Sequence, residues 1–360
     1  MRKNALFIAA TSQNVGKTTL CLGMLAALKH RYEKVGFIKP VGQRHVAVDG
    51  NTMVDKDVVL FRNHFHMQER WEDMSPVIIP SGFTRDYLDG KVTSEELIRS
   101  IISSFEKISS DSPFTLVEGT GHVGVGSIIG LSNAKVAKLL GLDIVIITPG
   151  GLGSAYDELQ LDLALCEKEG VRVRGIILNK VHPEKRDMIL EYFPKSMPDI
   201  PLLGAIPFDE FLSNPTIRDF EMLFETPLLS GEKHHYRHFK NTRLAAGSLD
   251  SFLMEIHPKE LIITPANRED IIHATLEFEK GEGDFGGGMI LTGQKPPSKE
   301  ILEEIRRVDV PVLHAPIGIY EAMKKINSYI AKIRTKDVPK IELAIDLVTK
   351  HLDIEALIKP

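Results

Sequence analysis

Residues 10–19 read Ala10-Thr11-Ser12-Gln13-Asn14-Val15-Gly16-Lys17-Thr18-Thr19. They leave an apolar stretch, Ala5-Leu6-Phe7-Ile8-Ala9-Ala10, and enter a helical pattern over 17–30. A turn so placed offers free backbone N–H groups at a helix start, where the helix dipole also favours negative charge. The chemistry it can do is phosphate binding. The backbone from Thr11 through Asn14 and Val15 surrounds the anion, and Gly16 lets it come close. Lys17 reaches the outer phosphates, Thr18 offers its hydroxyl to Mg2+, and Thr19 bonds the inner phosphate. The general pattern G-x-x-x-x-G-K-[ST] has a glycine where this chain has Thr11. The assignment therefore rests on strand, loop, Gly-Lys-Thr and helix occurring in register, not on the bare pattern.

The elements around that loop are legible as an alternation. Continuous apolar runs at Leu6–Ala10, Val35–Ile38, Thr115–Glu118, Ile144–Thr148, Gly175–Leu178 and Leu202–Ile206 predict strands covered on both faces. Helical patterns lie between them at 17–30, 95–108, 133–140, 154–169 and 184–193. Thr93 and Glu96 have capping-box spacing before the second of these helices. The expectation is an α/β fold with a doubly wound, mostly parallel sheet.

Regularity fails after Ile206-Pro207, where Pro215, Pro227 and the run Glu232-Lys233-His234-His235-Tyr236-Arg237-His238 follow. A boundary near residue 225 divides the chain into domains 1–224 and 225–360. The second is a smaller α/β domain with helices expected at 248–256, 268–280, 298–307 and 318–333. Its strands are expected at 261–264, 289–292 and 310–313, and an amphipathic helix over 341–352 closes it.

Composition excludes several functions. With 44 Lys plus Arg against 49 Asp plus Glu, the net charge of -5 does not suit a nucleic-acid binder relying on bulk positive charge. No apolar run reaches the ~20 residues that cross a bilayer. Met1-Arg2-Lys3 before the first apolar run imitates a secretory leader, but that run is too short and enters the phosphate loop, so it reads as a strand. Two cysteines, Cys21 and Cys166, cannot form a disulfide framework, which points to a reducing cytoplasm. The histidines at 64, 66, 234, 235 and 238 lack a completing metal-ligand set and read as exposed loop residues.

Five landmarks resemble dethiobiotin synthetases. These are the loop 10–18, Phe37-Ile38-Lys39-Pro40-Val41, Val117-Glu118-Gly119-Thr120-Gly121, Gly175-Ile176-Ile177-Leu178-Asn179-Lys180 and Gly204-Ala205-Ile206-Pro207. The longer stretch from Val117 to Ser127 is similar to the synthetase-like front domain of long phosphate acetyltransferases and to the cobyrinate diamide synthase group. The resemblance implies Mg-ATP binding, with Thr18, Glu118 and an acid of Asp55-Lys56-Asp57 as metal ligands, Asp57 being the better match. It implies a second phosphate-facing cation in Lys39, catalytic together with Lys17, and an adenine contact from Asn179. A helix-start acid is the ordinary alternative for Asp57, and a turn residue for Asn179.

The region from 225 resembles the DRTGG domain through residues 261–270 and Met289-Ile290-Leu291-Thr292-Gly293. Asn267 replaces the aspartate of that motif and reads as a helix N-cap with Asp270 at N3. An acetyltransferase domain is not present before Pro360, so acetyl transfer is not expected of the chain. Two functions follow from the resemblance. One is ATP-dependent activation of a carboxylate or carbamate, with an unidentified small-molecule substrate. The other is regulatory nucleotide sensing with an unidentified effector. No nucleic-acid or membrane partner is expected. A homodimer is compatible with the relatives, with no independent support in the residues.

Overall fold

The computed structural model describes residues 4–281 and 285–359; Met1–Lys3, the head of the leader-like opening, lie outside them. The chain divides into two units, Met1–Asp209 with Ile333–Pro360, and Glu210–Lys332.

The main sheet of the first unit has six strands, β1 (Ala5–Ala10), β2 (Val35–Ile38), β3 (Phe114–Glu118), β4 (Ile144–Pro149), β5 (Val173–Val181) and β6 (Leu202–Pro207). They are ordered β6-β5-β4-β1-β3-β2 and pair in parallel throughout. Every residue of β1 is buried, which is why it reads as an unbroken apolar run. Helices α1 (Lys17–Lys29), α2 (Lys56–His64), α3 (Ser94–Ser110), α4 (Asn133–Leu140), α5 (Gly153–Glu169) and α6 (Arg186–Ser196) supply most of the connections. Because β2 and β4 follow β1 on opposite sides, the sheet reverses its winding at the carboxyl end of β1, where such sheets bind ligands.

The capping box before α3 is present: Thr93 Oγ1 accepts from Glu96 N–H, and Thr93 N–H donates to Glu96 Oε2 at 3.2 Å. The antiparallel strands His45–Val48 and Thr52–Asp55 were not anticipated. They matter because they end on Asp55, whose Oδ1 accepts the Asp57 N–H at 3.0 Å and so caps α2.

The second unit has β7 (Leu228–Ser230), β8 (Asn241–Leu244), β9 (Glu260–Pro265), β10 (Gly288–Thr292) and β11 (Val312–Ala315). Their order is β7-β11-β10-β9-β8, parallel except for β7. Alternation along these strands builds two cores. Ile262, Met289, Leu291 and Val312 pack in one cluster, while Leu261, Ile263, Ile290 and Leu313 pack in the other. Helices α7 (Ile217–Phe224), α8 (Glu269–Lys280), α9 (Lys299–Val308) and α10 (Ile319–Ser328) accompany the sheet.

Two local expectations fail here. Arg268, not Asn267, stands at the N-cap of α8. Arg268 pairs with Asp270 at 2.8 Å and donates to the Ala246 and Gly247 carbonyls, which fixes the turn without Asn267. His64, His234, His235 and His238 are half-buried rather than exposed; His64 ends α2, and His235 Nδ1 lies 2.5 Å from the buried Glu221 Oε2. His66 is exposed as expected.

Helix α11 (Val338–His351), near the end of the chain, packs on α1 within the first unit, whereas the division at 224/225 puts it with the second. Its buried stripe of Ile341, Ala344 and Val348 needs an apolar partner. Gly23 of α1 supplies a bare spot for it: a Cβ there would lie 2.2 Å from Val348 Cβ.

Candidate functional site

The phosphate loop emerges where β1 ends. Gly16 takes φ +105°, a conformation that suits glycine, and α1 begins at the next residue. The first N–H groups of α1 have no carbonyl one turn earlier within the helix, so they are available at the loop mouth. Gly16 through Thr19 are half-buried, and Gln13 and Asn14 are exposed.

The end of β5 props this loop from behind. Asn179 Nδ2 donates to the Val15 carbonyl at 2.6 Å, and Lys180 Nζ donates to the Asn14 carbonyl at 2.9 Å. Both Asn14 and Lys180 adopt left-handed backbone, with φ of 61° and 57°. Burial lowers the Lys180 pKa. Thr11, at the position where glycine is usual, donates its hydroxyl to Glu158 Oε2 of α5 at 2.8 Å. Lys180 and Glu158 were not read from the sequence. The signal available was Lys180 next to Asn179, and Glu158 has no local motif.

On the other side, four predicted residues converge. Thr18 Oγ1 donates to Glu118 Oε1 at 3.2 Å. Lys39 Nζ lies 3.3 Å from that same oxygen, 3.2 Å from Asp55 Oδ1, and in an ion pair with Asp57. Lys39 is only 5% exposed and Glu118 1%. Burial alone would lower the Lys39 pKa, but Asp57, Glu118 and Asp55 overcome it and hold the ammonium well above its usual value. Burial pushes the Glu118 carboxyl up to about 7, opposed by the Lys39 and Lys17 charges. Lys17 Nζ donates to the Gly121 carbonyl at 2.6 Å, and burial lowers its pKa.

Glu118 Oε2 is buried and accepts no hydrogen bond. A buried carboxylate oxygen without a donor is costly, and beside a threonine hydroxyl it suits a hard divalent cation. Thr18, Asp57 and Glu118 thus offer two carboxylates and a hydroxyl. Among the described residues no group of three or more His, Cys, Asp and Glu forms a metal site by itself. Further ligands would have to be phosphate oxygens and water. Asn133, also missed as a site residue, fixes the loop after β3. Its amide accepts from Thr120 N–H at 3.1 Å and donates to the Thr120 and His122 carbonyls.

Asp162 lies on α5. Asp162 is 7% exposed, and burial, with Glu158 adding to it, raises its pKa to about 7.

A family model described as an AAA domain matches residues 4–216, more than half of the chain. The chain belongs to this AAA-domain family. A DRTGG domain model matches residues 224–329, directly after the AAA domain. The phosphate acetyltransferase of Pseudomonas aeruginosa is 26% identical over 374 residues, covering 98% of this chain and 51% of that protein. Its counterpart in Nitratidesulfovibrio vulgaris is 25% identical over 367 residues, with 98% and 51% covered. The chain therefore spans about half the length of these curated relatives. Among solved structures, the MinD cell division protein of Aquifex aeolicus is similar at 16% identity and a TM-score of 0.37, covering 58% of this chain and 83% of that one. The septum site-determining protein MinD complexed with Mg-ADP from Pyrococcus horikoshii is 21% identical with a TM-score of 0.37, covering 58% and 82%. No helix among the described residues of this AAA-domain protein is long and apolar enough to cross a membrane.

Proposed function

We propose that the AAA-domain unit binds Mg-ATP at residues 11–19 and that this occupancy serves a regulatory, nucleotide-sensing role. The observation that carries the binding is the buried, unpartnered Glu118 Oε2 on the carboxylate whose Oε1 accepts the Thr18 hydroxyl, directly after the phosphate loop. Thr18, Asp57 and Glu118 would hold the metal, which would supply charge neutralisation for the triphosphate. Lys17 would leave the Gly121 carbonyl for the outer phosphates. Thr11, Asn14, Val15, Gly16 and Thr19 would line the phosphate path, and the adenine would lie toward Asn179.

The regulatory role is supported by the match to about half of each phosphate acetyltransferase, where both domains accompany further chain. A second reading is phosphoryl transfer to a carboxylate or carbamate, favoured by Lys17 and Lys39 lying at one site with the metal ligands. Turnover separates the two. Steady-state ATP hydrolysis with Mg2+, across a panel of small acids and amines, is expected to stay slow and unresponsive. Stimulation of many fold by one of them, lost in Lys39→Ala, would replace sensing with activation.

A further inference from the structure

Three carboxylates, Asp55, Asp57 and Glu118, surround one ammonium, that of Lys39. Asp55 is committed elsewhere as well: Oδ1 caps α2 through Asp57 N–H, and Oδ2 accepts from Arg44 N–H at 3.2 Å. Asp57 and Glu118 are the other two carboxylates on this ammonium. Lys39 and the Thr18 hydroxyl meet at a single oxygen, Glu118 Oε1, while Oε2 is left without a donor. A network built for stability alone would not strand a buried carboxylate oxygen. The arrangement makes sense if a stronger cation takes over these ligands. Two cations a few ångströms apart at low dielectric repel strongly, so an ion held by Thr18, Asp57 and Glu118 cannot coexist with Lys39 in its present place.

We propose that Lys39 is the resident cation of this carboxylate cage and that a divalent metal binds by displacing it. The displaced ammonium swings out of the cage to the solvent side, so metal entry and the release of a phosphate-facing lysine are one event. In the nucleotide-free protein Lys39 holds the cage closed against metal ions, and arrival of the metal with its triphosphate opens it. The idea rests on the Mg-nucleotide reading only for the identity of the ion.

The test is Mn2+ binding to the nucleotide-free full chain, followed by electron paramagnetic resonance, in the parent and in Lys39→Met. The variant is expected to bind Mn2+ at least ten-fold more tightly; equal affinities would overturn the proposal. Should Lys39→Met not fold, acetylation of the parent chain with peptide mass spectrometry decides. Lys39 is expected to be protected without metal and to react at least five-fold faster in millimolar Mn2+. An unchanged rate would overturn the proposal. Mg-ATP binding by the parent chain, measured alongside, tells a failure of this idea from a failure of the nucleotide reading.

Discussion

Asn179 Nδ2 donates to the Val15 carbonyl at 2.6 Å, tying the end of β5 to the middle of the phosphate loop. The same Nδ2 would lie 2.3 Å from a Cβ on Gly16, so strand end and loop are fitted to each other. This contact gives Asn179 a task that precedes any contact with a base: it holds the loop in shape. Asn179→Ala is expected to weaken ATP and inorganic tripolyphosphate by the same factor, about ten-fold for a lost buried hydrogen bond. Titration of both ligands checks it. A loss confined to ATP would assign Asn179 to the adenine alone.

Gly16→Ala places a Cβ against Asn179 in a backbone conformation that L residues avoid. Strain of order 1–3 kcal/mol is expected, with loss of nucleotide binding. Urea unfolding and calorimetry on the same variant read both effects. Unchanged stability together with unchanged binding would show that the loop is not held as described.

Gly23 and Val348 test the packing of α11 on α1. Gly23→Ala is expected to lose stability through overpacking, by about 1–3 kcal/mol, less the gain in helix propensity. Combining it with Val348→Gly, which removes the clashing Cβ, should recover part of the loss, giving a coupling of about 1 kcal/mol or more in a double-mutant cycle. Strictly additive effects would deny the contact.

Asp162 sets a pH dependence. Its folded pKa of about 7 lies above the ordinary carboxyl value near 3.9, so between these values the folded chain holds a proton that the unfolded chain gives up. Stability from this group is therefore full below about pH 4 and is lost as pH rises toward 7. Asp162→Asn should raise the melting temperature relative to the parent at pH 8, with a smaller difference at pH 5. A difference that is constant or larger at pH 5 would contradict the assignment.

Much of the first unit was legible because parallel strands buried on both faces leave continuous apolar runs, and β2 and α4 occur with the bounds read from the sequence. The phosphate loop was legible because Gly16-Lys17-Thr18 must sit between a strand and a helix to work. Resemblance, not spacing, brought Lys39, Asp57 and Glu118 together, and the fold pairs Lys39 with both carboxylates and Glu118 with Thr18. Asp55 ranked behind Asp57 in the run Asp55-Lys56-Asp57, because its double task as helix cap and ion-pair partner shows only in the folded turn. Lys180 was missed because its role needs a left-handed backbone that no sequence pattern announces. The placement of α11 was missed for a different reason: an amphipathic face says that a partner exists, not which one.

Isothermal titration of the full chain with Mg-ATP, in the parent and in Lys17→Ala, tests the nucleotide site most directly. One ATP per chain is expected, with affinity lowered at least a hundred-fold by Lys17→Ala while the melting temperature of the free chain is kept. No heat and no thermal stabilisation of the parent at millimolar Mg-ATP would contradict the account.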